Sequence, residues 1–317
     1  RLVHYESVHK LDDTSDDVIT GSSSKEVLGA NKLSASHDLS GSTLAEIQAY
    51  LDSGSVVAGD TIYLGNQTWN SGDWGPWDAN QVVKVNIPNL IISGGTSGSP
   101  NDFATINAAS KVFQLNAPGI TLTNLAFTTA DGGPNCAVNI TSSGTTIQNC
   151  LFDSCHSANG GAIHGSDSAS NTIINDCNFT NCESIWSSPG GAIYYEGSGL
   201  TIDDSNFNGN RHGAVYCDGN LDITDSSFIG NGGQNTLTVV ANGHTTVSNS
   251  NFENNSLGAL SVYGENSQIT NCNFTGNNAT EYGGAIEVLG SNTQVSGCNF
   301  VNNKARSGGA VCGRASG

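Results

Sequence analysis

The chain has 317 residues, of which only 12% are charged, about half the share in ordinary globular domains. Ten Lys and Arg stand against 28 Asp and Glu, a formal net charge of −18, and no basic cluster occurs. Nucleic acid and anionic membrane are therefore excluded as partners, because phosphate binding needs clustered cations. No apolar run approaches the roughly 18–20 residues that span a bilayer, so no membrane insertion is expected within this chain.

Residues 1–41 are polar and acidic, with Asp12-Asp13 and Asp16-Asp17, and carry no repeat. They predict an N-terminal arm outside the main fold. Thr43-x-x-Glu46 is a capping box, and Leu44, Ile47 and Leu51 fall on one helical face. A short helix over 42–53 is predicted to cover one end of the structure that follows. Residues 54–119 predict irregular first coils. Within them Trp69-Asn-Ser-Gly-Asp-Trp74-Gly-Pro-Trp77 packs three Trp into nine residues. Such a segment suits a sugar ring or a subunit contact, or plugs an irregular coil. Trp186, in a longer loop, is treated in the same way.

From about residue 120 one pattern recurs: an aliphatic residue, a spacer, Asn or Asp, a small residue, a spacer, Phe. Its Phe positions are Phe127, Phe152, Phe179, Phe207, Phe228, Phe252, Phe274 and Phe300, spaced 21 to 28 residues apart. A period in the twenties without helical patterning predicts a stacked solenoid. Side chains alternate along a strand, so the aliphatic residue and the Phe, five apart, would face opposite sides. Both are large and apolar and both must face inward, so the chain bends between them. The bend falls at Asn124, Asn149, Asp176, Asp204, Asp225, Asn249, Asn271 and Gly297, residue types that tolerate the left-handed conformation.

After the bend the small residue, Cys150, Cys177, Ser205, Ser226, Ser250, Cys272 or Cys298, shares parity with the Phe. Stacked coils about 4.8 Å apart would make ladders of Phe, of Cys/Ser and of Ile/Val. Three residues past most Phe stands Asn (Asn210, Asn231, Asn255, Asn277, Asn303), replaced by Cys155 and Cys182 in two earlier coils. A second signature follows as Gly160-Gly-Ala-Ile163, Gly190-Gly-Ala-Ile193, Gly283-Gly-Ala-Ile286 and Gly308-Gly-Ala-Val311. Each coil thus has three strands. The expected fold is all-β, a single-stranded right-handed parallel β-helix over 42–317 with regular repeats over 120–317.

The paired GGA[ILV] and FxxN motifs resemble the polymorphic membrane protein repeat of chlamydial surface autotransporters. With Gly59-Asp-Thr-Ile-Tyr-Leu64 the chain is also similar to adhesin-like proteins of methanogenic archaea. The resemblance implies an extracellular, cell-surface adhesin-like protein and does not specify a partner.

The cysteines of the ladder predict buried free thiols, because parallel side-chain vectors hold their Cβ atoms too far apart for a disulfide. Six sequons, at Asn66, Asn139, Asn178, Asn254, Asn273 and Asn278, are candidate N-glycosylation sites. No cofactor is expected and no Cys/His grouping suggests zinc. For catalysis the candidates are Asp203, Asp204, Asp222 and Asp225, with Arg211, His212 and His244 nearby in sequence. For calcium they are Asp176, Asp204 and Asp225, on consecutive coils. Corner geometry already accounts for Asp176, Asp204 and Asp225, so neither a catalytic nor a metal site is expected.

The chain lacks Met and stops one strand into a coil, which suggests a processed form or a fragment. An open last coil could add strands from another copy, with residues 1–41 lying on the neighbour. The leading expectation is a non-enzymatic surface protein that self-assembles head to tail into filaments. A glycan-binding adhesion module stands second, with host or cell-surface glycans as partners, and a polysaccharide lyase or hydrolase third.

Overall fold

The structure is a computed structural model, and residues 34–70, 82–99, 101–107, 112–128, 136–185, 188–233 and 238–314 are described. They form a right-handed parallel β-helix of about ten turns with one short helix. Three parallel sheets run its length. The first, here the Ile sheet, has eleven strands from Ser36–Asp38 to Gln294–Ser296. The second, the Phe sheet, has ten strands from Thr68–Asn70 to Asn299–Val301. The third, the Gly-Gly-Ala sheet, has ten strands from Val83–Val85 to Val311–Gly313.

The corner between the Ile and Phe sheets has the conformation that its residue types demand. Asn124, Asn149, Asp176, Asp204, Asp225, Asn249, Asn271 and Gly297 all have positive φ, between 46° and 63°. The bend turns Ile147, Cys150 and Phe152 inward together. From Phe127 to Phe300 the rings stack face to face, with centroids 4.6 to 5.2 Å apart. This spacing is set by the ladder, and the rings fill a core that no single coil could bury.

Asn210, Asn231, Asn255 and Asn277 build a second, polar ladder inside the wall. Each Oδ1 accepts from a backbone N–H of the preceding coil, and each Nδ2 donates to the Phe carbonyl of that same coil. Cys155 and Cys182 break the Asn pattern without breaking its role. Their thiols point at the same carbonyls, of Phe127 and Phe152, at 3.6 and 3.7 Å. All nine cysteines are free. Burial pushes the Cys217 thiol up to about 12 and the Cys272 thiol up to about 11.

The Gly-Gly pair permits a close backbone approach. Gly190 has φ 74°, and a Cβ on Gly191 would collide with the Arg211 carbonyl. At the N-terminal end the helix Leu44–Asp52 is capped as expected: Thr43 Oγ1 accepts from Glu46 N, and Glu46 Oε2 accepts from Thr43 N. Leu44, Ile47 and Leu51 are buried against the first coils.

Two boundaries differ from the expectation. Ser36–Asp38, inside the predicted arm, is a strand paired with Thr61–Tyr63, so the last residues of 1–41 belong to the solenoid. Residues 1–33 lie outside the described residues. The first coils are also more regular than expected, because Trp69 pairs with Ile106 and Ile106 with Phe127. Trp69 and Ile106 thus stand on the Phe rungs. The repeat continues there with the ring replaced, which hides it from a motif search.

Candidate functional site

The predicted site residues do not come together. Trp69 is 4% exposed and its indole N–H donates to Ser42 O, so it is a core residue and not a binding surface. The physical reason is its rung: an inward position of the Phe sheet. Trp74, Trp77 and Trp186 lie outside the described residues. Asn139 is 9% exposed, the most buried of the six sequon positions. Asn66, Asn254, Asn273 and Asn278 are exposed, while Asn178 is half-buried and accepts from Asn206 Nδ2.

Asp203 and Asp222 face outward from the Ile sheet on different rows, opposite Thr224 and Thr201. Asp204 and Asp225 are corner residues. His212 is buried with Nδ1 2.6 Å from Ser184 O, Arg211 approaches Glu183 at 3.6 Å, and His244 approaches Glu265 O. These groups lie on different faces. Among the described residues no three His, Cys, Asp or Glu side chains gather as a metal site, Asp176, Asp204 and Asp225 included.

The side chains that do converge lie on the outer face of the Gly-Gly-Ala sheet. Register places Lys84, Gln114, Asn139, His164, Tyr194, Tyr216 and Val240 in one outward row. The first residue after each of these strands forms a second row, through Asn86, Asn116, Thr141, Ser166, Glu196, Asp218 and Asn242. Strand alternation brings the two rows onto one face, with successive members about 4.8 Å apart along the axis.

The centre of this face is a hydrogen-bonded group of aromatic, acidic and amide side chains. Tyr194 and Tyr216 stack with centroids 4.8 Å apart. Tyr216 Oη donates to Asp218 Oδ1 at 2.6 Å, and Asn242 Nδ2 donates to the same oxygen at 2.6 Å and to Tyr216 Oη at 3.1 Å. Among the described residues no donor reaches Asp218 Oδ2. On the preceding rung His164 Nε2 lies 3.1 Å from Glu196 Oε2. Burial, then the Asp218 carboxylate, raises the Tyr216 phenol well above the usual tyrosine range. Burial, followed by Glu196 and Asp218, raises Tyr194 as well. Both phenols are therefore held protonated beside two carboxylates, each anchored by one oxygen.

These residues carry no mark in the repeat, because none recurs down the array. The available signal is a two-coil pattern, Tyr194-Tyr-Glu196 and Tyr216-Cys-Asp218, directly after Gly-Gly-Ala-Ile and Gly-Ala-Val.

A family model described as a right-handed β-helix region matches residues 214–313. It supports the β-helix in general and does not single out chlamydial or archaeal surface repeats. No curated protein matches the chain in sequence. An alginate lyase from Paenibacillus sp. is similar in structure, with TM-score 0.54 and 13% identity, covering 86% of this chain and 99% of that one. A Geobacillus virus E2 protein gives TM-score 0.46 at 18% identity, covering 86% of this chain and 58% of that one. The catalytic domain of an α-1,3-glucanase gives 0.40 at 10% identity, covering 89% and 66%.

The lyase overturns the expectation of a chain without catalytic activity. Inward and corner residues serve the architecture, and the expectation rested on how little of the repeat they leave for chemistry. A polysaccharide lyase is built on a similar coil over its whole length, and the outward rows are free to carry such chemistry. At this identity the likeness is one of fold, and no active-site residue is carried over.

Proposed function

We propose that the chain is a carbohydrate-active β-helix that binds a polysaccharide along the outer face of the Gly-Gly-Ala sheet and cleaves it. The cleavage centre is His164, Tyr194, Glu196, Tyr216, Asp218 and Asn242. The observation that carries this reading is the pair of carboxylates on adjacent rungs. Tyr216 and Asn242 fix Oδ1 of Asp218, and His164 holds Oε2 of Glu196. The second oxygen of each is left to act on a substrate. Paired carboxyl groups supply the proton for the leaving oxygen and the base or nucleophile at the anomeric carbon.

Charge favours hydrolysis over elimination. Elimination from a uronate is helped by positive charge that neutralises the sugar carboxylate, and a Lys or Arg is the permanent source of it. Along these rows Lys84 stands four rungs before Tyr194, and Arg314 four rungs after Asp218. Each is about 19 Å away at the ladder spacing. An extracellular protein, secreted or on a surface, would meet structural polysaccharides there, and that location goes with this proposal.

The test is release of reducing ends from a broad panel of soluble polysaccharides. At least one is cleaved by the unaltered protein, and Glu196→Gln and Asp218→Asn each slow it about 100-fold or more without lowering the melting temperature. No release from any polymer, or full activity in both variants, would contradict the proposal.

A further inference from the structure

The same face continues past the reactive centre toward the N-terminal end, and there it changes character. Asn116 Nδ2 donates to Asn86 Oδ1 at 2.8 Å. Thr141 Oγ1 and Gln114 Nε2 both donate to Asn116 Oδ1, at 2.9 and 3.0 Å. These bonds leave Gln114 Oε1 and Asn86 Nδ2 without protein partners among the described residues. Asn139 sits between Gln114 and His164 in the outward row, and it is the most telling member. The residue is 9% exposed, none of the described residues hydrogen-bonds its amide, and the amide is not among the buried groups left unsatisfied, so its polar atoms open on the surface.

The body of the residue is held in the wall while its amide donor and acceptor are both left to a ligand. The positions around it are uncharged, and the whole chain is strongly acidic. A carboxylate-bearing sugar would meet the field of Glu196 and Asp218 with no Lys or Arg beside it among the described residues. A neutral sugar would offer hydroxyl groups, which both donate and accept, matching the two ends of an amide.

We infer that the natural ligand is a neutral polysaccharide, one ring of which is bound by the Asn139 amide with Gln114 and Asn116, next to the reactive centre. This inference rests on the site proposed above and adds the substrate class and a specificity-determining residue. The strip is a binding extension that touches no reacting bond. Its contribution is to hold the chain along the axis so that the linkage falls over Glu196 and Asp218.

The experiment measures binding in the Asp218→Asn background, where cleavage does not consume the ligand. Mobility is followed in gels containing soluble β-glucan, galactomannan or xylan, and in gels containing alginate or polygalacturonate. At least one neutral polymer retards the protein, the two acidic polymers do not, and Asn139→Ala weakens the retardation about tenfold. Gln114→Ala, at a less buried position, weakens it by a smaller factor, and melting temperatures establish that both variants fold. Retardation by acidic polymers alone, by no polymer, or to the same degree in both amide variants overturns the inference. Cleavage and binding can fail separately. Cleavage of acidic polymers alone refutes the substrate class and leaves the proposed centre standing. Asn139-dependent binding of a neutral polymer that is never cleaved does the reverse.

Discussion

Tyr216 and Asp218 flank the inward-facing Cys217, and the Tyr216 hydroxyl donates to Asp218 Oδ1 at 2.6 Å. Burial and the adjacent carboxylate both hold the phenol in its protonated form. Above about pH 10 an unfolded chain releases that proton while the folded chain keeps it, so stability falls as pH rises through this range. Tyr216→Phe removes one donor from Asp218 and removes this alkaline titration. The expected result is a loss of roughly tenfold in cleavage rate, with a flatter alkaline limb in thermal melts. An unchanged alkaline limb would contradict the assignment.

Asp60 is the second group whose titration should be visible. Burial alone would raise its carboxyl, but the N–H groups of Ala35 and Val57 and the His37 ring outweigh it and hold Asp60 to about 2. A lowered value means stability that is full above about pH 4 and lost as pH falls toward 2. His37 also reaches Tyr50 Oη at 2.9 Å, so the cluster ties the first strand to the helix. Asp60→Asn is expected to cost about 1–3 kcal/mol at neutral pH and to flatten the acid limb of urea melts between pH 5 and 2.

The amide ladder gives a third prediction. Asn231 Oδ1 accepts from both N and Nδ2 of Asn210, and its own Nδ2 donates to Phe207 O and Asn255 Oδ1. Asn231→Leu strands a buried N–H on one side and a buried carbonyl on the other. The expected cost is about 2–6 kcal/mol by denaturant unfolding, at about 1–3 kcal/mol for each stranded group. Asn231→Cys, the residue type found at the equivalent position in Cys155 and Cys182, should be milder, since a thiol still reaches the Phe carbonyl.

Corner residues separate backbone strain from chemistry. Asp204 has φ 46°, and Gly297 occupies the equivalent position in a later coil with φ 63°. Asp204→Gly should be nearly neutral, and Asp204→Ala should cost about 1–2 kcal/mol because an L side chain in this region is strained. Neither substitution should change cleavage. A loss of activity in Asp204→Gly with an unchanged melting temperature would return that residue to the list of catalytic candidates.

The parts of the fold legible in the sequence are those where packing allows few residue types. A corner at positive φ admits Asn, Asp or Gly, and an inward rung admits Phe, Ile or Cys, so these positions repeat and can be found. The first coils were obscured because Trp69 and Ile106 fill Phe rungs without sharing the motif. The outward rows were not legible at all. Solvent imposes no periodic choice on Lys84, Gln114, Asn139, His164, Tyr194 and Tyr216, and a reading built on recurrence passes over a group that occurs once. The aromatic cluster drew attention by its composition, yet Trp69 proved to be core, because large aromatic residues serve packing and binding alike.

The most direct test of the whole account is the crystal structure of the Asp218→Asn variant soaked with an oligosaccharide of the polymer that the unaltered protein cleaves. The account predicts sugar rings along the Gly-Gly-Ala sheet, with one ring hydrogen-bonded to the Asn139 amide and a glycosidic oxygen within about 3 Å of Glu196 or residue 218. Rings bound on the outer face of the Ile sheet or the Phe sheet, with the Tyr194–Tyr216 face empty, would contradict it.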